Sequence, residues 1–145
     1  MTVVAYKQTC DFIARDESEA VDGSGWERLV TGVVADPENV DAYGNTISEE
    51  EIRTAMLRFM EVFQNTGVNH IKDSAENPVL FNDVIRIVEC WQTRNEDYIN
   101  GVRVPKGAWV MTVRVLDDDI WQGILNGTYT GFSLEAFAKR IPVAA

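Results

Sequence analysis

Near its C-terminus the chain contains Ser133, in the middle of the strand-like stretch TYTGFSLEAF at residues 128–137, and its only histidine is His70. A serine hydroxyl is a weak nucleophile near neutral pH. It needs a base to remove its proton and donors to hold the oxyanion. His70 is the single imidazole available as that base. Most lone histidines and strand serines have structural roles, however, so residue types alone favour that interpretation for both.

The two cysteines and the aspartate run are residue types that form active or metal sites in other proteins, but in this sequence their spacing favours structural roles. Cys10 and Cys90 lie far apart, without CxxC or Cys/His spacing, so neither a zinc site nor a disulfide framework is predicted, although one bridge between them stays open. The run Asp117, Asp118 and Asp119 precedes an apolar helical pattern, which is typical of an acidic helix N-terminus. We expect no metal and no cofactor.

Composition limits the partners. The 145 residues are 46% hydrophobic, carry a formal net charge of -10 and contain no Lys/Arg cluster. We therefore expect one globular domain over residues 1–145 that does not bind nucleic acid, because a phosphate backbone would be repelled. No apolar run approaches about 18 residues, and the N-terminus lacks the pattern of a signal peptide, so we expect a soluble cytosolic chain without a membrane partner.

Two helices are predicted from local signals. Ser48 followed by Glu51 forms a capping box that begins a helix at Glu49, with an apolar stripe at spacings of three and four and a stop at residues 65–67. The stripe comprises Ile52, Met56, Phe59, Met60 and Phe63. A second, short helix follows the aspartate run and ends at Asn126 and Gly127.

The remaining segments predict strands. These are residues 2–7, 29–35, 68–71, 79–91, 108–116 and the stretch around Ser133. Residues 15–27 read as an acidic loop, and Asn100-Gly101 as a turn within a loop or short hairpin. The fold class is therefore α+β, with a mostly antiparallel β-sheet or β-barrel core and two or more packed helices.

Three blocks of sequence resemble the XkdF-type phage prohead proteases. They are GVVADPENVDAYGNTISEEEI at residues 32–52, NHIKD at residues 69–73 and VPKGAWVMTVRVLDDDIWQGILNGTYTGFS at residues 104–133. The order of the blocks is the same as in that family, and PKGAWV and YTGFS are the most specific parts. The likeness extends over about residues 32–135, most of the chain.

The resemblance implies an assemblin-like serine endopeptidase, distantly related to the herpesvirus assemblins. Ser133 matches the family serine of GFS and His70 the family histidine, so these two residues would act as nucleophile and general base. Implied substrates are phage scaffold and major capsid proteins, and the protease itself, inside the assembling prohead in the host cytoplasm. Assemblins are activated by dimerisation, so a homodimer is implied too.

The third catalytic residue is where the chain departs from assemblins, which use a second histidine. We select Glu89, because it interrupts an apolar strand soon after the histidine and an unpaired buried carboxylate would be costly. Asp73, Asp83 and Glu135 are alternatives, each equally compatible with a solvated surface charge.

The oxyanion donors also stay open. Backbone N–H groups near residues 131–134 and the pair Lys139-Arg140 are both candidates, and Lys139-Arg140 could simply solubilise the tail. Gly131 would permit a bulge or a close backbone approach beside the serine. The alternative to a protease is a catalytically silent protein of the same fold that acts as a capsid-assembly scaffold or binding module. A third reading, a phage protein that binds a host partner through its acidity, has no motif in its favour.

Overall fold

The computed structural model describes residues 3–15, 27–62, 67–72, 78–80 and 85–139. Only the backbone is described for residues 3–7, 9, 62, 67–72, 78–80 and 133–139. The strands are β1 (Val3–Arg15), β2 (Leu29–Ala35), β3 (Gly67–Lys72), β4 (Pro78–Leu80), β5 (Ile85–Gln92), β6 (Asp97–Ile99), β7 (Val102–Val104), β8 (Trp109–Val115) and β9 (Gly131–Lys139). The helices are α1 (Glu49–Val62) and α2 (Asp118–Leu125).

Five strands form one antiparallel sheet in the order β5-β8-β2-β1-β9. The sheet curls into a half-barrel, and the α+β class predicted from sequence is confirmed. Two small antiparallel pairs, β3 with β4 and β6 with β7, accompany it. β5 and β9 are the two edges of the five-stranded sheet.

The larger core lies between the sheet and the two helices. On α1, Ile52 and Met56 are buried, and Phe59 packs edge-on against Trp109 of β8 with 5.4 Å between ring centroids. The opposite face carries a smaller cluster of Val33, Val104, Ala108 and Val110. Because β8 contributes to both clusters, it has the near-continuous apolar sequence of a strand covered on both faces.

The helix boundaries follow the predicted caps. Ser48 Oγ accepts from the Glu51 backbone N–H at 3.2 Å, and α1 begins at Glu49. Asp117 caps α2 by accepting from the Ile120 N–H at 3.0 Å. The start of α1 and the structural role of the aspartate run are therefore confirmed, while Phe63 and the predicted stop at 65 and 66 lie outside the described residues.

Two strand predictions were wrong in extent. The strand expected over residues 2–7 is the first part of β1, which runs on to Arg15 because it pairs first with β9 and then with β2. The segment expected to be one strand over residues 79–91 contains two: β4, paired with β3, and β5, paired with β8. Asn100 and Gly101, at φ of 51° and 77°, form the tight β6–β7 turn, as predicted.

Candidate active site

Ser133 lies in the edge strand β9, which pairs with β1 without interruption from Gly131↔Asp11 to Lys139↔Val3. Ser133 stands opposite Thr9 in this ladder. Nine consecutive pairs fix the register of β9 against β1, and with it the position of Ser133 along the sheet. A slip of one residue would turn every side chain of β9 to the other face.

The hydrogen-bond phase of this ladder determines which backbone groups of β9 are available. The Phe12 N–H donates to the Thr130 carbonyl at 2.7 Å, so the Asp11↔Gly131 pair next to it is of the non-hydrogen-bonded kind. Alternation then makes Ser133 and Glu135 non-hydrogen-bonded towards β1 as well. The backbone N–H and C=O groups of Gly131, Ser133 and Glu135 consequently face away from β1, towards the outer edge.

This phase narrows the predicted oxyanion donors. Among the backbone groups of residues 131–134, the N–H groups of Phe132 and Leu134 face β1, whereas those of Gly131 and Ser133 face outward. Only the outward pair is not hydrogen-bonded to β1, and it stays the candidate pair of oxyanion donors. Lys139 ends β9, with its backbone alone described, and Arg140 lies outside the described residues.

Gly131 is required by the close approach of β1 and β9. A Cβ atom at this position would collide with the backbone carbonyl of Cys10 and lie 3.0 Å from the Asp11 Cα. These are main-chain atoms that cannot rotate away. The close backbone approach predicted for this glycine is thus present, two residues before the candidate nucleophile.

We predict that Gly131→Ala forces β9 away from β1 and lowers the free energy of unfolding by about 1–3 kcal/mol, as overpacking does in cores. Urea denaturation followed by tryptophan fluorescence measures this. Gly127→Ala is the contrast, since its φ of 84° gives backbone strain but nothing lies within 4 Å of an added Cβ. Unchanged stability of Gly131→Ala would contradict the close approach.

Phe132 anchors β9 to the neighbouring strands. Its ring packs edge-on against Phe12, with 5.1 Å between centroids, and covers Gly32 of β2. A Cβ at Gly32 would lie 2.9 Å from the Phe132 Cδ2 atom, so β2 has a glycine where the ring crosses it. Sequence reasoning missed this role of Gly32. The available signal was a glycine inside an otherwise β-branched strand.

Gln8 is a second positioning residue that the sequence did not reveal. Its side chain is 4% exposed, its Oε1 accepts from the Asp36 N–H at 2.6 Å, and its Nε2 donates to the Asp36 carbonyl at 3.1 Å. These bonds tie β1 to the loop after β2, one position away from Thr9, the partner of Ser133. A polar residue buried with all its bonds made specifies that arrangement of strands.

His70 lies in β3, whose described partner is β4, while the described partner of β9 is β1. Among the described strands, β3 and β9 are therefore not a hydrogen-bonded pair. The side chains of His70 and Ser133 lie outside what is described. Their proximity stays a prediction.

Glu89 does not have the environment for which it was selected. The argument from burial is wrong, because the Glu89 side chain is exposed. The cause is a bulge in β5: Ile87 pairs with Val113 but Glu89 pairs with Thr112, so Val88 is an extra residue and Glu89 is turned to the other face. Glu89 also lies in the opposite edge strand from Ser133. The role of Glu89 as the acid that orients His70 stays a prediction, because the side chain of His70 is not described.

The alternative acids stay predictions. Asp73 and Asp83 lie outside the described residues, and Glu135 is described by its backbone alone.

Among the described residues, no group of three or more His, Cys, Asp or Glu side chains could hold a metal ion. No helix in the described part of the chain is long and apolar enough to cross a membrane.

Both thiols have a raised pKa in the folded chain, which lowers the fraction present as the nucleophilic thiolate. Burial, reinforced by the nearby Asp36 and Asp11 carboxylates, raises the pKa of Cys10 to about 11. Burial also raises the pKa of Cys90, whose sulfur accepts from the Trp109 indole N–H at 3.2 Å. The two cysteines are free, so the bridge left open by the sequence is absent.

We predict slow alkylation of these thiols. Because the thiolate is the reactive form, raising the Cys10 pKa from 9.0 to about 11 lowers its thiolate fraction at pH 8 about 100-fold. Reaction with iodoacetamide should be correspondingly slower in the folded chain than in urea, and should accelerate as the pH rises towards 11. Mass spectrometry of the modified peptides measures both rates, and equal rates in the two states would refute the prediction.

Comparison with known proteins identifies relatives of this chain. Residues 13–142 match the model of the family described as "Putative phage serine protease XkdF". The phage-like element PBSX protein XkdF of Bacillus subtilis (strain 168) is 30% identical over 112 residues, which are 77% of this chain and 38% of that protein. The uncharacterized protein YqbD of the same organism is 27% identical over 115 residues, 79% of this chain and 33% of that protein. The chain thus spans between a third and two fifths of these relatives. No solved structure matches.

Proposed function

The chain belongs to the XkdF family of phage proteins, and on that premise we propose that it is a serine endopeptidase with Ser133 as nucleophile and His70 as general base. The observation that carries the proposal is the position of Ser133. It lies in the edge strand, two residues after a glycine at which β1 and β9 approach closely, with its own backbone N–H facing the open edge. A nucleophile in a protease must be accessible to a peptide in this way.

Cleavage would proceed in two steps. His70 takes the proton of the Ser133 hydroxyl as its oxygen attacks the scissile carbonyl, and the outward N–H groups of Gly131 and Ser133 are the candidate donors to the oxyanion. His70 then gives the proton to the leaving amine, and the acyl group stays on Ser133. A water molecule, activated by His70, releases the acyl group as a carboxylic acid and restores the serine.

The proposed substrates are the scaffold and major capsid proteins of the phage, and the protease itself, cut inside the prohead in the host cytoplasm. The proposed active form is a homodimer without cofactor. These assignments extend the resemblance to prohead proteases, since the chain spans only 38% and 33% of the two relatives.

Covalent labelling tests the proposal without a substrate. A fluorophosphonate should modify Ser133, identified by mass spectrometry of the labelled peptide, and His70→Ala should slow the labelling because the serine loses its base. Ser48, which caps α1 with its hydroxyl, is an internal control that should stay unmodified. Labelling of Ser133 that is unaffected by His70→Ala would remove the histidine from the mechanism.

The second candidate function is a catalytically silent scaffold or binding module in capsid assembly. One observation favours it: the described partner of the histidine strand is β4 rather than β9. This function predicts that Ser133 resists the fluorophosphonate while the protein still binds capsid or scaffold protein.

A further inference from the structure

The outer edge of β9 presents a row of unused backbone groups. The N–H and C=O groups of Gly131, Ser133 and Glu135 face away from β1, and no other strand in the described part of the chain pairs with that edge. Such an edge is a template for another extended chain, which pairs with it through main-chain hydrogen bonds.

The two edges of the five-stranded sheet differ in protection. β5 has a bulge at Val88, and the exposed charges of Arg86 and Glu89 flank it. Bulges and charges are the usual means by which proteins prevent an edge strand from pairing with another chain. β9 has neither proline nor a bulge along its nine pairs with β1, and Glu135 and Lys139 are its only charged residues. The edge that carries Ser133 is therefore the one suited to receive a strand.

A second copy of the chain does not suit this edge as an occupant. Glu135 is the central residue of β9, so two β9 strands paired antiparallel about a two-fold axis along their full length would bring two Glu135 carboxylates together. Like charges directly opposite each other destabilise a strand pair, and each chain already carries a net charge of -10. A different polypeptide has no such conflict, and it would reach Ser133 directly.

We infer that the outer edge of β9 binds the polypeptide substrate as an added β-strand, through the backbone groups of Gly131, Ser133 and Glu135. This inference rests on the proposed function and names how its substrate is held. The substrate segment must be extended. Alternate residues of that segment point their N–H and C=O groups towards β9, and the residues between them point theirs away.

Replacing Glu135 with proline tests the inference on the protein, in a Ser133→Ala background that cannot cleave. Proline at 135 removes an outward N–H and leaves the hydrogen bonds between β9 and β1 in place. Edge strands tolerate proline at positions where the N–H faces away from the neighbouring strand. The probes are fluorescent 12-residue peptides that tile the scaffold and major capsid proteins of the phage. We expect peptides that bind Ser133→Ala to bind Ser133→Ala/Glu135→Pro about tenfold more weakly, measured by fluorescence anisotropy.

Two matched variants distinguish the loss of the outward N–H of residue 135 from the loss of its carboxylate and from a general destabilisation by proline. Glu135→Ala removes the carboxylate but keeps the N–H, so it measures the effect of losing the side chain alone, and Glu135→Pro should bind peptide about tenfold more weakly than Glu135→Ala. Ala136→Pro removes an N–H that faces β1 and should instead lower the free energy of unfolding. Equal affinity of the Glu135→Pro and Glu135→Ala proteins would overturn the inference, as would failure of every tiled peptide to bind.

N-methylated peptides provide a second test on protein with an unaltered β9. N-methylation of the tightest-binding peptide, one residue at a time, should weaken binding at alternate positions and leave the positions between them unaffected. A uniform effect would overturn the inference. If Glu135→Pro converts a dimer into a monomer, by light scattering, and peptide affinity is unchanged, the edge is occupied by a second copy and the inference is also wrong.

Failure of the inference and of the proposed function give different results. Fluorophosphonate labelling of Ser133 needs no peptide, so labelling without an alternating N-methyl pattern overturns only strand addition. An alternating pattern with an unreactive Ser133 overturns the protease and leaves β9 as a peptide-binding edge.

Discussion

Ser133→Ala is expected to lower the rate of peptide cleavage by about 10⁴-fold or more, because without the hydroxyl no acyl-enzyme can form. The residual rate would come from binding and the oxyanion donors alone. The measurement is cleavage of purified phage scaffold or capsid protein under single-turnover conditions. The free energy of unfolding should change little, because the substitution leaves the backbone pairing of Ser133 with Thr9 in place.

Ser48→Ala is the matched control for loss of a serine hydroxyl. It removes the cap of α1 and should lower the free energy of unfolding by about 1 kcal/mol while leaving the cleavage rate unchanged. Processing by Ser133→Ala at the parental rate would exclude the serine mechanism.

The elements predicted correctly from sequence are those with strong local signals. The capping box of Ser48 and the aspartate cap of α2 each lie within a few residues of chain, and local hydrogen bonds enforce them. β8 was predicted as a strand from its short run of apolar residues. The Asn100-Gly101 turn belongs to the same class, since positive φ at both positions suits these residues.

The errors concern features that depend on distant partners. β1 extends to Arg15 because β9 and β2 supply partners in turn, and its polar residues give no local sign of this. The bulge at Val88 is likewise created by pairing with β8, and it reverses the face of Glu89. Strict alternation from the buried Ile85 places Glu89 inside, whereas one extra residue places it in solvent.

The candidate site shows the same division. Ser133 was predicted to lie on a strand, and Gly131 to allow a close backbone approach, and both are local properties of the YTGFS block. That β9 is an edge strand, and that the Ser133 N–H faces outward, follow from a ladder with residues more than 120 positions away in the chain. Gln8 could not be identified because its partner, Asp36, is 28 positions away in the chain, beyond the reach of a local pattern.

Trp109→Ala is expected to lower the free energy of unfolding by about 3–5 kcal/mol, the usual cost of removing a large buried aromatic side chain. Trp109 is 1% exposed, packs against Phe59 of α1 and donates its indole N–H to the Cys90 sulfur. It thereby joins the helix to two strands. Since small domains have about 5–15 kcal/mol of stability in total, the variant should be partly unfolded near physiological temperature.

Urea denaturation distinguishes the contribution of the Trp109 ring contact from that of its indole N–H. The variants to compare are Trp109→Ala, Trp109→Phe and Trp91→Ala. Trp109→Phe keeps the ring contact and loses the N–H, so it should lie between the parent and Trp109→Ala. Trp91 is only half-buried, against the smaller cluster, and its loss should cost less than that of Trp109. A loss below about 1 kcal/mol for Trp109→Ala would mean that α1 is not held to the sheet through this ring. Because Trp109→Ala should lose cleavage together with its fold, and Ser133→Ala should lose cleavage with its fold intact, the pair separates a catalytic serine from a merely structural one.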